Sequence, residues 1–334
     1  MQNLASMHKR KNLHPRITTM NNQRFIGHLS LFAAYMIFAF NIIVCKEIML
    51  SAYMSPMGLF FFRSVGAGAL FWLLSLFVPR NVFNAGTKEK AEKVPTKDLL
   101  AILGASVVGL VFPQLTFLEG ISLTTPLDCS LLVILTPIFT MFVAAIVLKE
   151  PITLKKAGGV ALSFAGVILL IFNSVSLGGG ATTTKPLGVV LLILNALCFA
   201  LYLGIFRPLI SRYSVVTFMK WMFLFATLLS FPLCAKEVFA VNYAALPADY
   251  YWRVGFLIFF ATFTAYFLIP VGQKVLRPTI VSLYTYVQPL VASVISIYLG
   301  MDQLTWQKLV AAAAIVGGVV LVNRSRAAKV EDGE

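Results

Sequence analysis

Few ionisable groups lie inside the long apolar runs of this chain, and those few set the chemistry open to it. Arg63 stands seven residues into such a run, about 10 Å deep at the rise of a helix. A charge at that depth costs at least about 2.5 kcal/mol unless it finds a cavity, a partner or a route to the interface. Two readings of Arg63 stand: a cavity cation that grips a carboxylate or phosphate through its planar fork, or an arginine tied to carbonyls at a helix end. Lys46 and Lys220 fall nearer the ends of their runs, where long side chains snorkel. Asp128, close to Pro126, is the carboxylate best placed for proton coupling, with a solvated helix start as the competing reading. Glu150 and Asp302 each end a run, and are expected to cap the next helix by accepting backbone N–H bonds.

Neutral polar groups offer a site of their own. Tyr284 and Gln288 are four residues apart, so an α-helix would put them on one face, immediately before Pro289. Proline frees a carbonyl in the preceding turn, which can then line a cavity. Asn41, Gln114, Asn195, Tyr202 and Tyr266 lie at similar depth and are expected in the same pocket, with hydrogen bonding between helices as the alternative role. Pro137 and Pro289 are expected hinges. The three histidines are all N-terminal, and Cys45, Cys129, Cys198 and Cys234 sit in apolar stretches without a CxxC pair, so no metal and no cofactor is expected. No HExxH, GxSxG or nucleotide-binding loop occurs, and an enzyme would need a nucleophile and base that the runs do not offer.

The elements that must hold these groups are membrane helices. The 334 residues are 59% hydrophobic and 12% charged, with a mean hydropathy of +0.86; soluble domains carry about 25% charged residues. Ten spans of about 20 apolar residues are predicted, near 27–49, 56–78, 98–117, 123–148, 155–173, 185–206, 215–235, 250–273, 278–299 and 306–323. With the N-terminus inside, and with Lys155, Lys156, Lys185, Arg253 and Lys308 at span edges counted with the adjoining segment, 20 of the 27 Lys and Arg fall inside, four fall outside, and Lys46, Arg63 and Lys220 are counted within spans. This bias predicts that both termini are cytoplasmic. The net charge of +14 is therefore read as a topological address that touches anionic lipid, with no nucleic acid as partner. The first apolar run is too long for a cleaved signal peptide and is read as a span. Met20 is the expected natural start, because residues 1–19 add nothing the fold requires; N-terminal sequencing of the native protein checks this.

The chain also repeats itself. At an offset of 152 residues, Gly120 meets Gly272, Pro126 meets Pro278, Ser130 meets Ser282, Pro137 meets Pro289, Thr153 meets Thr305 and Gly166 meets Gly318, with Glu150 on Asp302. Over residues 118–171, 11 of 54 positions are identical. Near the front of each half the offset is 160, matching Ser51 to Ser211 and Tyr53 to Tyr213. Halves of five spans each, 27–173 and 185–323, must enter the membrane from opposite sides, flanked by a basic tail at 1–26 and a tail at 324–334. Small residues at Gly158, Gly159, Ala165, Gly166, Ala311–Ala314, Gly317 and Gly318 fit tight packing of the fifth and tenth spans, or a homodimer face.

With Arg63, Gly120, the Pro126–Pro137 interval, Glu150 and Gly166 in the first half, and Gly272, Pro278, Pro289, Asp302 and Gly318 in the second, the chain resembles the drug/metabolite transporter superfamily in its EamA-like branch. The resemblance implies a permease for a small polar metabolite, often an exporter of amino acids or related compounds, resident in a bacterial inner membrane. The expectation is an all-α secondary transporter working by alternating access, with Arg63, Tyr284 and Gln288 in contact with substrate; a non-transporting sensor or intramembrane enzyme is the alternative.

Overall fold

A computed structural model describes residues 2–77, 94–148, 153–176 and 184–324. Within them helices are the regular secondary structure, with no strand, as apolar runs require when no water is available to satisfy peptide groups. The helices are α1 (Gln2–Ser51), α2 (Pro56–Phe77), α3 (Thr96–Ser122), α4 (Pro126–Val133 and Thr136–Leu148) and α5 (Leu154–Ser176). After them come α6 (Pro186–Ile205), α7 (Val215–Phe239), α8 (Ala248–Val275), α9 (Pro278–Leu283 through Val287–Tyr298) and α10 (Trp306–Arg324). Eight stretches are long and apolar enough to cross a membrane, those of α1 to α4 and α6 to α9, and α10 adds a shorter apolar stretch, Trp306–Val322. Glu150 lies outside the described residues. Prolines open α4, α6 and α9, where the missing N–H is not needed. Ser214 caps α7 by accepting from the Thr217 amide at 3.1 Å.

Four helices are not regular, and each irregularity has a local cause. α4 breaks at Ile134–Leu135, directly before Thr136 and Pro137, whose ring cannot donate to the preceding turn. In α9 the stretch Tyr284–Tyr286 tightens to 3₁₀ geometry ahead of Pro289. α3 and α8 each contain a π segment, Val107–Val111 before Pro113 and Leu257–Thr264 before Pro270, a widened turn that often marks functional sites.

α1 packs on α8 and α9, α6 packs on α3 and α4, α2 lies against α7, and α5 lies against α10. The α5–α10 seam is built from the small residues. A Cβ at Gly318 would come within 2.3 Å of the Gly159 carbonyl, and one at Gly166 within 2.8 Å of the Ala311 carbonyl. Ser163 Oγ donates to the Ile315 carbonyl at 3.0 Å across this seam. The stripe that sequence reading left open between internal packing and a dimer face thus packs inside the chain at Gly159, Gly166 and Gly318. Gly318→Val should cost about 1–3 kcal/mol through overpacking, seen as a lower melting temperature of purified protein by fluorescence-detected gel filtration. Leu73, Leu76, Phe172, Leu194, Leu233 and Leu290 point outward, as a lipid-facing surface demands.

Candidate functional site

A cavity of about 570 Å3, its open mouth included, lies between α1, α2, α3, α4, α6, α8 and α9. α1 contributes Tyr35, Phe38 and Asn41, α2 Arg63, and α3 Pro113, Gln114 and Phe117. α4 contributes Val133 and Thr136, α6 Asn195 and Phe199, α8 Tyr266, and α9 Thr285 and Gln288. The broken helices deliver their residues at their breaks. Val133 and Thr136 flank the interruption of α4, and Thr285 and Gln288 flank the 3₁₀ turn of α9.

Arg63 is 2% exposed. Its Nε donates to Thr262 Oγ1 at 2.8 Å, and Nη1 approaches Cys45 Sγ at 3.5 Å. Thr262 is held for this by the π segment, its hydroxyl donating to the Leu257 carbonyl five residues back at 2.7 Å. Among the described residues no carboxylate pairs with Arg63. Asn195 Nδ2 is anchored on the Pro113 carbonyl at 2.7 Å. Gln114 is 4% exposed with both ends of its amide lacking a partner at hydrogen-bonding geometry, although Tyr266 lies alongside.

Of the residues expected here, Arg63, Asn41, Gln114, Asn195, Tyr266 and Gln288 line the cavity, and Tyr284 and Tyr202 do not. α-Helical spacing pairs Tyr284 with Gln288, but a 3₁₀ turn has three residues per turn. That change puts Thr285 in register with Gln288 and turns Tyr284 away, to contact His28 Nδ1 at 2.6 Å and stack on Tyr35. Tyr202 is buried between Phe199, Phe206 and the α3 π segment, where a Cβ on Gly109 would meet its ring at 2.2 Å.

Asp128 and Asp302 belong to a second assembly, at the end of the bundle where the α3–α4 turn lies. The Lys308 ammonium lies 3.1 Å from Asp128 Oδ1 and 2.7 Å from Asp302 Oδ1. Thr184 Oγ1 donates to Asp128 Oδ2, and the Leu127 amide donates to Asp302 Oδ2 at 3.3 Å. Lys46 donates to the carbonyls of Ile121, Ser122 and Thr124 at 3.1, 3.3 and 2.6 Å, so it neutralises the C-terminal end of α3. It is 6% exposed and does not snorkel. Asp302 caps a helix as its position suggested, yet it is the N-terminus of α4; the α10 start is served by Thr305 Oγ1, which accepts from the Lys308 amide. The reason is the turn before it: Gly300 at φ +68° and the Met301 amide on the Ser296 carbonyl reverse the chain after α9 and carry Asp302 across.

At the opposite end Asp98 accepts from Arg212 Nη1 at 2.7 Å and from the Tyr213 hydroxyl. Burial, with the bond to Asp98 adding to it, pushes the Tyr213 phenol up to about 12. Arg207 Nε reaches the Gln273 carbonyl at 3.4 Å nearby.

A model of the EamA-like transporter family matches residues 25–172 and again 186–324. The chain belongs to the EamA-like transporter family. It is similar to the uncharacterized transporter YyaM of Bacillus subtilis, 22% identical over 71% of this chain and 76% of that one, and to YetK of the same organism, 25% identical over 74% and 72%. A solved protein crystal structure superposes with a TM-score of 0.60 at 16% identity, over 90% of this chain and 97% of that one, which shows a common fold. This family member is a multi-pass membrane transporter.

Sequence reading missed Tyr35, Thr136 and Thr285 in the cavity, and Lys46 and Lys308 in the ionic assembly. Thr136 could have been found from the repeat, since it adjoins the matched Pro137 and stands opposite Gln288. Lys308 falls on Lys156 at the offset of 152, three residues after the Thr153–Thr305 match, but its place at the edge of the last run makes it read as a topology charge.

Proposed function

We propose that this transporter family member moves a small polar metabolite through the cavity at Arg63 by alternating access. Ten spans in two inverted five-helix halves, with both termini cytoplasmic in a bacterial inner membrane, complete the reading. The observation that carries it is the make-up of the cavity. At the offset of 152 residues Gln114 corresponds to Tyr266, Val133 to Thr285 and Thr136 to Gln288, and at 160 Tyr35 corresponds to Asn195; all eight line the cavity. Exchanging the halves also maps the α1–α8 packing onto α6–α3 and the α1–α9 packing onto α6–α4, while α2–α7 and α5–α10 map onto themselves. A site built on such an axis supports two related states, open to either side, of similar energy.

Arg63 breaks the pairing, since position 223 at the 160 offset is Phe. The shared scaffold thus supplies the path and the unshared cation the preference for a negative group. The resemblance points to amino acids and related compounds, and to export. The α4 break before Pro137 and the α9 turn before Pro289 are the bends about which the helices rock. In the topology set by the Lys and Arg bias, the Lys308 assembly lies at the outer end and the Asp98–Arg212 pair at the inner end.

Labelled-solute flux into proteoliposomes tests the reading: saturable, Arg63-dependent uptake or exchange is the expected result, and binding without flux across a broad solute panel sinks it. A C-terminal fluorescent-protein fusion should fluoresce and a C-terminal alkaline phosphatase fusion should stay inactive; the reverse pattern refutes the orientation.

A further inference from the structure

The charge inventory of the cavity restricts what it can hold. Resting on the transport reading above, we infer that the substrate is an organic monoanion with an aromatic or other flat apolar body and no ammonium group, which excludes a zwitterionic α-amino acid as the preferred solute. The single charged residue among those lining the cavity is Arg63, 2% exposed, anchored through Nε on a neutral threonine and beside a thiol. A buried guanidinium without a protein counter-charge is stabilised by a ligand that brings one negative charge.

An α-amino acid brings a carboxylate and an ammonium on adjacent carbons. Seating its carboxylate on Arg63 would hold the ammonium within about 5 Å of the guanidinium, where like charges repel in a medium that screens poorly. The cavity residues offer no carboxylate to offset that repulsion. A hydroxyl at the same carbon would instead find neutral partners, the clearest being Gln114, whose buried amide lacks a partner at hydrogen-bonding geometry beside Tyr266. The remaining wall suits a ring: Tyr35, Phe38, Phe117, Phe199 and Tyr266 surround the space.

A matched set of solutes separates the charge classes on one skeleton. 3-Phenyllactate is the monoanion, phenylalanine the zwitterion, 2-phenylethylamine the cation and 3-phenylpropanol the neutral compound. Titrated into detergent-purified full-length protein by calorimetry, phenyllactate is expected to bind at least about tenfold more tightly than phenylalanine, and the amine and alcohol to bind more weakly still. In Arg63→Gln the gap between phenyllactate and phenylpropanol should close. Binding of phenylalanine equal to or tighter than that of phenyllactate overturns the inference, as does failure of all four to bind. The transport reading fails separately: phenyllactate binding without flux in proteoliposomes refutes transport and leaves the charge class intact, whereas flux of phenylalanine with exclusion of phenyllactate keeps transport and refutes the monoanion.

Discussion

Arg63→Ala is expected to abolish measurable transport and to leave the protein as stable as before, or more so. The loss follows from the bonds removed. Hydrogen bonds to a charged partner contribute about 1.5–3 kcal/mol each, so even one lost substrate contact lowers affinity by about 10- to 100-fold. The stability side follows from what remains. Thr262 keeps its bond to the Leu257 carbonyl when Arg63 is gone, and Cys45 still donates to Asn41 Oδ1 at 3.5 Å. No carboxylate among the described residues loses a partner. Removing a buried charge that lacks a counter-charge relieves a desolvation penalty, which offsets the packing lost with the side chain. Arg63→Lys should restore little, since an ammonium cannot present the planar fork that holds a carboxylate through two bonds. Flux in proteoliposomes, alongside thermal unfolding of the same preparations, checks both halves of the expectation. Normal transport by the alanine variant removes Arg63 from the mechanism, and a collapse in folded yield makes it a structural residue.

The cavity was partly legible in the sequence because depth along an apolar run is a one-dimensional property. Arg63, Asn41, Gln114, Asn195, Tyr266 and Gln288 could be placed by counting residues from the ends of runs, and all six meet in space. What counting could not supply was helix geometry. Assigning Tyr284 to the cavity assumed 3.6 residues per turn, and the 3₁₀ turn before Pro289 moved the face by one residue, to Thr285. The π segments were hidden for the same reason, since nothing in the runs Val107–Val111 and Leu257–Thr264 marks a widened turn apart from the prolines that follow. Pairing between distant charges was the other loss. Lys308 and Asp128 are 180 positions apart in the chain, and charge counting by loop treated the first as a topology signal and the second as a lone carboxylate. Only the Schellman turn at Gly300, which carries Asp302 over to the α4 N-terminus, brings them into one assembly.

Lys308→Met should cost about 3–5 kcal/mol of stability, because it leaves Asp128 and Asp302 buried together as like charges without their shared cation. Neutralising the carboxylates in the same chain tests whether charge is the cause. A triple variant with Lys308→Met, Asp128→Asn and Asp302→Asn keeps the volume and several hydrogen bonds, and most of the lost stability should return. Its functional consequence should differ from its stability. The assembly ties α1 through Lys46, the α3–α4 turn, the stretch before α6 through Thr184 and the start of α10 together at one end of the bundle, so under the alternating access proposed above that end should stay shut while Lys308 holds both acids. Weaker tethers in the triple variant shift the balance toward the state open at that end. Cys129, fully buried and next to Asp128, is a native reporter. A membrane-impermeant maleimide applied from outside should leave Cys129 unmodified in the unaltered protein and label it in the triple variant, as read by peptide mass mapping. Labelling at equal rates in both proteins would show that the Lys308 assembly holds the fold without gating access, and would move the barrier to some other part of the bundle.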